Sequence, residues 1–175
     1  GIKLYNQADT DKAAALLKEA SYDGSPLRIL TSHQYEFHYQ MAVVAQAYLQ
    51  QAGMKVTLDV VDWATLTQQR NNPDAWDIYI THSPFLPEPA LNSTYGANSP
   101  IGWDDPAKDK LLAQFTTVSD LKQREQLFAQ LQQMVFEQVP FYKIGDFNEL
   151  LGQSKKLSGL SQTPWPFFWN AQLSA

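Results

Sequence analysis

The fold class is decided by Trp76-Asp77-Ile78-Tyr79-Ile80-Thr81-His82-Ser83-Pro84-Phe85-Leu86-Pro87-Glu88-Pro89, in which a short apolar run leads into a loop with three prolines. Aromatic and β-branched residues over 76–80 predict a buried strand. Each proline restricts the backbone around it, so the loop should be stiff. A stiff loop after a core strand of an α/β sheet often carries ligand contacts, although a plain strand-ending connection fits the same residues.

The chain upstream of this strand alternates strands and helices. Residues 27–31 and 55–61 read as strands, and between them lies a long helix over 36–52 that Gly53 stops. A strand, a helix of several turns and a second strand predict a parallel crossover. A short helix over 63–69 then leads to the third strand, which extends to residue 81.

The flanking segments are predicted to be mainly helical. Asp9 or Thr10 should cap a helix over residues 12–20. Asp105-Pro106 opens a helix that runs to about residue 118, and Ser119-Asp120 caps a longer one over 121–137. Residues 141–144 read as a further strand, and residues 163–175 form an aromatic tail that should pack against apolar surface.

Composition excludes several classes of function. The net charge is −5 and no basic stripe is present, which argues against nucleic acid as a partner. No apolar run approaches the roughly 20 residues that a membrane-spanning helix needs. The absence of cysteine excludes thiol catalysis, disulfides and cysteine-ligated zinc.

No set of residues in the sequence indicates catalysis. A glycine-rich phosphate loop and a Gly-x-Ser-x-Gly elbow are both missing. His33 and His38 miss the spacing of a helical metal pair, so only the fold could bring them together with His82. We therefore predict that the chain is not an enzyme and that it binds no metal and no cofactor.

The aromatic residues divide into two groups by their predicted surroundings. Residues in predicted strands and helices are expected in the core: Trp63, Trp76 and Phe115. Residues in predicted loops or helix starts either stack on a ligand or pack internally: Tyr35, Phe37, Phe85 and Trp103.

Four segments follow one another in a distinctive order. They are Asp9-Thr10-Asp11-Lys12-Ala13-Ala14-Ala15-Leu16-Leu17-Lys18-Glu19-Ala20 with Tyr22-Asp23-Gly24, residues 45–49 with Gly53-Met54-Lys55-Val56, Trp76-Asp77-Ile78 leading to Glu88-Pro89, and Asp120-Leu121-Lys122-Gln123-Arg124 with Gln132 and Val139-Pro140. In this order they resemble the C-terminal lobe of the family 5 periplasmic solute-binding proteins, which are the receptors of dipeptide, oligopeptide and nickel ABC importers.

The resemblance implies an α/β fold, a periplasmic-binding-protein-like lobe with a mixed, mostly parallel sheet flanked by helices. Residues 1–175 would then be one lobe of a hinged receptor that captures a peptide-like or other small solute. The implied partners are that solute, the missing N-terminal lobe and an ABC permease in the membrane. The implied location is periplasmic or extracellular, membrane-associated through the transporter. The start at Gly1, without a methionine or signal pattern, predicts a processed or cut piece.

The resemblance also nominates ligand-binding residues. Peptide-binding members often carry an aspartate in the proline loop that holds the ammonium group of the solute, and Phe85 stands at the matching position here. A phenyl ring cannot neutralise an ammonium ion, so Phe85 suggests a flat or apolar part of the solute. The polar groups left in this loop are His82, Ser83 and Glu88, and the loop after the first strand adds His33, Gln34 and Tyr35. Trp103 is added to the predicted ligand-binding set because of its position in a predicted loop or helix start, and not because of the resemblance.

A second interpretation of the sequence is a protein-interaction module. In that case the free lobe would dock on another polypeptide through its cleft face and the aromatic segment over residues 165–169. An exposed cleft face should then promote self-association.

Overall fold

The computed structural model describes residues 7–84, 86, 88–96, 99–148, 150, 152–161, 163 and 167–174. The chain divides after Phe141 into two compact units, which are described separately. The expectation that residues 1–175 form a single lobe stays a prediction.

A parallel sheet forms the centre of the first unit. Its strands are β1 (Leu27–Thr31), β2 (Val56–Val60) and β3 (Ile78–Tyr79), in the spatial order β2-β1-β3. Ile29 of β1 lies opposite both Leu58 of β2 and Ile78 of β3. The three predicted strands and the parallel crossover are therefore confirmed.

The third strand is shorter than the sequence predicts. Only Ile78–Tyr79 is strand, but the backbone N–H groups of Asp77 and Ile80 also donate to carbonyls of β1, at 3.1 and 3.0 Å. The ladder continues for one residue on either side, and this continuation holds the start of the following loop against β1.

The described residues form five α-helices: α1 (Thr10–Glu19), α2 (Glu36–Gln51), α3 (Trp63–Gln69), α4 (Pro106–Thr117) and α5 (Leu121–Gln138). Short 3-10 helices span Pro73–Ala75, Pro89–Leu91 and Ser93–Tyr95. Aspartate side chains accept backbone hydrogen bonds at the start of four α-helices: Asp9, Asp62, Asp105 and Asp120. Such caps satisfy N–H groups that a helix cannot pair internally. None of the described helices is long and apolar enough to cross a bilayer.

The core of the sheet lies between β1 and α2. Ile29, Ala42, Val56 and Ile80 are buried there and pack together. Phe115 on α4 and Leu131 on α5 are also buried, as expected for the facing sides of a helical hairpin. Burial of these apolar side chains stabilises the unit that carries the loops at the edge of the sheet.

In the second unit, the part of the chain that the structure describes forms an antiparallel pair of strands, β4 (Leu157–Ser158) and β5 (Gln172–Leu173). The prediction of a strand over residues 141–144 is wrong. Helix α5 ends at Val139 in the left-handed conformation, and Tyr142 and Ile144 beyond it are exposed. An apolar run becomes a strand only where a neighbouring strand can pair with its backbone, and none of the described strands pairs with this segment.

Candidate functional site

The loops after β1, β2 and β3 meet at one edge of the sheet, because parallel strands end on the same side. The first loop is joined to the second by two hydrogen bonds. The backbone N–H of Val61 donates to the carbonyl of Thr31 at 2.9 Å. The backbone N–H of Trp63 donates to the side-chain oxygen of Gln34 at 3.2 Å. Residues that are distant in sequence thus occupy one continuous surface.

Five aromatic rings pack together at this edge, and we call them the ring cluster: Tyr35, Phe37, His38, Trp63 and His82. The indole of Trp63 stacks on both imidazoles, with ring centroids 5.4 Å from His38 and 5.5 Å from His82. Tyr35 stands edge-on to Trp63 and His82, at 4.9 Å from each. The rings therefore hold one another in fixed orientations.

The two histidines of the cluster are hydrogen-bonded to each other, with 3.0 Å between Nδ1 of His82 and Nε2 of His38. His38 is fully buried. Burial, and to a smaller extent the charge of the adjacent His82, lower the pKa of His38 to about 4. His38 is therefore uncharged at neutral pH. Its Nδ1 atom is buried and has no hydrogen-bond partner among the described residues.

The other predicted residues of these two loops lie around the cluster. His33 is exposed and turns towards α2, where its ring lies 3.8 Å from that of Tyr39 and its Nδ1 lies 3.5 Å from a carboxylate oxygen of Glu36. Gln34 and Ser83 are exposed at the same edge. Phe85 lies outside the described residues.

Glu88 is engaged with an arginine of α5. Both of its carboxylate oxygens lie 2.8 Å from Nη2 of Arg124. Nη1 of Arg124 donates to the carbonyls of Phe115 and Val118, at 2.8 and 3.0 Å, and the guanidinium lies over the ring of Phe115. Glu88 thus fastens the end of the proline loop to the α4–α5 hairpin, and its contact with a solute stays a prediction.

Trp103 is 8% exposed and packs at the start of α4. Its indole N–H donates to the side-chain oxygen of Gln138 at 2.6 Å, and the ammonium of Lys108 donates to its backbone carbonyl at 2.8 Å. These contacts are structural. A contact between Trp103 and a solute likewise stays a prediction.

His38 and Trp63 were not among the residues nominated from the sequence, yet both lie in the ring cluster. The position of Trp63 in the sequence could have indicated a site residue. It lies three residues after the end of β2, close to a strand end in the same way as Tyr35, which lies four residues after the end of β1. His38 lies within the first turn of α2, which begins next to the same loop. The described residues contain no group of three or more His, Cys, Asp or Glu that could hold a metal ion.

Substitution of Asp62 by alanine should destabilise the folded protein by about 1 kcal/mol, because its carboxylate caps α3. The side chain of Asp62 accepts hydrogen bonds from the backbone N–H and the hydroxyl of Thr65. Urea denaturation of both proteins measures the loss. Asp11→Ala is the matched control, since this exposed aspartate caps no helix in the structure, and its effect should stay below about 0.5 kcal/mol. Equal losses for the two variants would contradict the assigned cap.

Comparison with known proteins identifies relatives of this chain. The profile described as "Bacterial extracellular solute-binding proteins, family 5 Middle" matches residues 2–134. A probable peptide ABC transporter periplasmic-binding protein of Sinorhizobium fredii is 28% identical over 94% of the chain and 33% of its own length. A probable deoxycholate-binding periplasmic protein of Escherichia coli is 33% identical over 75% of the chain and 26% of its own length. The chain therefore spans about a third or less of these relatives.

Solved structures show the same fold. A dipeptide-binding protein of Pseudoalteromonas in complex with Met-Leu matches 95% of the chain and 36% of its own chain, with 24% identity and a TM-score of 0.73. A binding protein of Agrobacterium tumefaciens in complex with agropinic acid matches 74% of the chain and 28% of its own, with 27% identity and a TM-score of 0.65. The expected α/β fold of the periplasmic-binding-protein type is confirmed.

Proposed function

The chain belongs to the bacterial extracellular solute-binding proteins of family 5, and on this premise we propose that it is a ligand-binding lobe of the solute receptor of an ABC importer. The receptor captures a peptide-like or other small solute and delivers it for uptake. The family consists of solute-binding proteins rather than enzymes, and the proposed role requires no covalent chemistry.

The observation that carries the proposal is the ring cluster at the carboxyl edge of the parallel sheet. Ligand sites of α/β folds are usually built from the loops at this edge. Three such loops converge here, and each contributes a ring: Tyr35, Trp63 and His82. These rings are only partly buried, so part of their surface can contact a solute.

The names of the relatives support a small-solute receptor and leave the class of solute broad. They describe one protein as a probable peptide-transport component and another as a probable deoxycholate binder. One structural neighbour holds a dipeptide and another holds agropinic acid. We propose a peptide or another small organic solute as the cargo of this lobe.

Two macromolecular partners follow from this role. The first is a second lobe of the same receptor, which would close over the solute by a hinge motion. The second is an ABC permease, which would bring the receptor to the membrane from the periplasm or the extracellular space. A single lobe offers only part of the contacts, so its affinity alone should be poor.

A thermal-shift screen of the complete gene product tests the proposal. A ligand at 100 times its dissociation constant stabilises the folded state by roughly 2.7 kcal/mol, which such a screen detects easily. Peptides, bile acids, sugars and metal chelates form the panel, and saturable stabilisation by one class is expected. The proposal fails if no compound of any class shifts the transition of a well-folded protein.

Replacement of Tyr35 by alanine in the complete gene product should weaken solute binding by about tenfold, or about 1.4 kcal/mol, because a stacking ring is lost. Isothermal titration with the solute found in the screen measures this change. Tyr48→Ala is the matched control, since Tyr48 is an exposed tyrosine of α2 outside the ring cluster. Unchanged affinity in both Tyr35→Ala and His82→Ala would remove these residues from the site.

Docking on another polypeptide is the alternative function, and the exposure of the second unit favours it. Trp169 is 79% exposed and stacks on Phe167, while Phe168 is also exposed. Aromatic surface of this kind tends to be covered by a partner. Light scattering distinguishes the two functions: concentration-dependent association that Trp169→Ser abolishes favours docking, whereas a monomer that binds a small solute favours transport.

A further inference from the structure

We propose that the part of the solute that docks on this lobe is an uncharged ring, stacked against the Tyr35–Trp63–His82 surface, rather than an ammonium group. The inference rests on the proposed function, since it specifies which chemical group the same site accepts. It is carried by two independent features of the structure, the preformed rings and the engagement of the neighbouring carboxylates.

The first feature is the geometry of the ring cluster. Trp63 lies within 21° of parallel to His82 and within 29° of parallel to His38, and the two imidazole centroids are 5.0 Å apart, so the indole lies over two imidazoles that sit side by side. Tyr35 and Phe37 stand edge-on to His82, at 66° and 62°. Because the rings already fix one another, binding of a solute would cost the protein little additional side-chain entropy. Such a surface complements a flat apolar group by offset stacking or edge contacts.

The second feature is that the carboxylates bordering this edge already have partners within the lobe. Both carboxylate oxygens of Glu88 accept hydrogen bonds from Arg124, and both carboxylate oxygens of Asp62 accept hydrogen bonds from Thr65. The carboxylate of Glu36 accepts a hydrogen bond from the side-chain amide of Gln40 and lies beside His33. An ammonium group that leaves water needs a carboxylate or a comparable partner to offset its desolvation. At Glu88 an ammonium would have to compete with Arg124, and at Asp62 and Glu36 it would share a carboxylate that already accepts hydrogen bonds.

Several polar groups at the ring cluster are uncharged. His38 remains neutral at physiological pH because burial depresses its pKa, and its bond to His82 fixes the orientation of both imidazoles. Gln34 and Ser83 contribute an amide and a hydroxyl at the exposed rim. These groups can hydrogen-bond to neutral substituents of a ring that lies on the cluster.

The test compares three probes on the complete gene product by isothermal titration: N-acetyltryptophanamide, which carries an uncharged ring; dialanine, which carries an ammonium without a ring; and choline, a quaternary ammonium. We expect N-acetyltryptophanamide to bind at least tenfold more tightly than either of the others. Equal or tighter binding of dialanine would overturn the proposal. Tighter binding of choline would instead identify the rings as a cation site, which also overturns it.

Two variants connect the result to the cluster. Trp63→Leu should weaken the binding of N-acetyltryptophanamide at least tenfold. Trp63→Phe, which keeps a flat ring, should retain most of the affinity. Trp169→Leu is the matched control, because Trp169 lies outside the first unit. Circular dichroism confirms that each variant is folded. Loss of affinity only in the control variant would assign the ring contact to a different surface and overturn the proposal.

The design separates this inference from the function on which it rests. If the thermal-shift screen finds a ringless solute that binds tightly, the uncharged-ring proposal fails while the receptor function stands. If no compound of the screen or of the probe set binds to a folded protein, both fail together.

Discussion

Lowering the pH from about 7 to about 4 is expected to cost the folded protein on the order of 3 kcal/mol through His38 alone. The pKa of His38 falls from its ordinary 6.5 to about 4 in the folded state, chiefly because burial disfavours the imidazolium and also because His82 is adjacent. Below pH 6.5 the unfolded chain binds this proton while the native state does not. Stability is therefore unaffected above about 6.5 and falls with decreasing pH until the native His38 is itself protonated near pH 4.

Urea denaturation at intervals between pH 7.5 and pH 4 measures this dependence. His38→Phe is the comparison variant, since phenylalanine keeps a flat ring and cannot titrate. The stability of this variant at neutral pH should be lower because the hydrogen bond to His82 is lost. Its free energy of unfolding should, however, depend much less on pH between 6.5 and 4 than that of the unmodified protein. Carboxylates with lowered pKa values, such as Asp77 beside Arg28, lose their contribution only below about pH 4. Parallel pH curves for the two proteins would show that His38 is not responsible.

Replacement of Arg124 by glutamine should destabilise the protein by about 2–3 kcal/mol, because one guanidinium serves four acceptor atoms. These are the two oxygens of Glu88 and the carbonyls of Phe115 and Val118. Removing it leaves the partly buried carboxylate and the end of α4 without their partner. The estimate lies below that for a fully buried pair because the side chain of Glu88 is 40% exposed.

A double-mutant cycle with Glu88→Gln isolates the Arg124–Glu88 pair. Glu88→Gln alone should cost about 1 kcal/mol, since Arg124 keeps its carbonyl bonds, and the coupling should be about 1 kcal/mol. Lys143→Met is the matched surface control: its partner Asp146 is highly exposed, and the loss should stay below about 0.5 kcal/mol. If Glu88→Gln instead weakened solute binding and left stability unchanged, Glu88 would be a ligand residue and the structural role would be wrong.

The sheet and its helices could be predicted because their signals are local. The limits of α3 agree with the sequence, since Asp62 caps it and the chain turns after Gln69. The strand ladder of β1 and β2 follows from short apolar runs on either side of a helix. Residues 141–144 have the same apolar content as those runs, yet they form no strand, because strand pairing depends on a neighbour that the local sequence does not specify.

The site was only partly predictable, for a related reason. Tyr35 and His82 were found because each follows a strand of the predicted parallel sheet. The sequence leaves it to the fold whether His33 and His38 come together with His82, and the fold places His38, but not His33, in contact with His82. The sequence predicts Trp63 in the core, whereas the structure leaves it half-buried beside these rings. A sequence records the identity of each ring but not the distances between rings on separate loops.

The sequence by itself determined the family and the parallel α/β architecture, and it indicated which strand ends would carry polar and aromatic groups. Periodicity, caps and turns act over a few residues, so they can be recognised without coordinates. The tertiary structure alone decided that His38 is buried and neutral and that Glu88 is bound to Arg124. Both outcomes depend on contacts between residues more than 30 positions apart in the chain, and packing determines those distances.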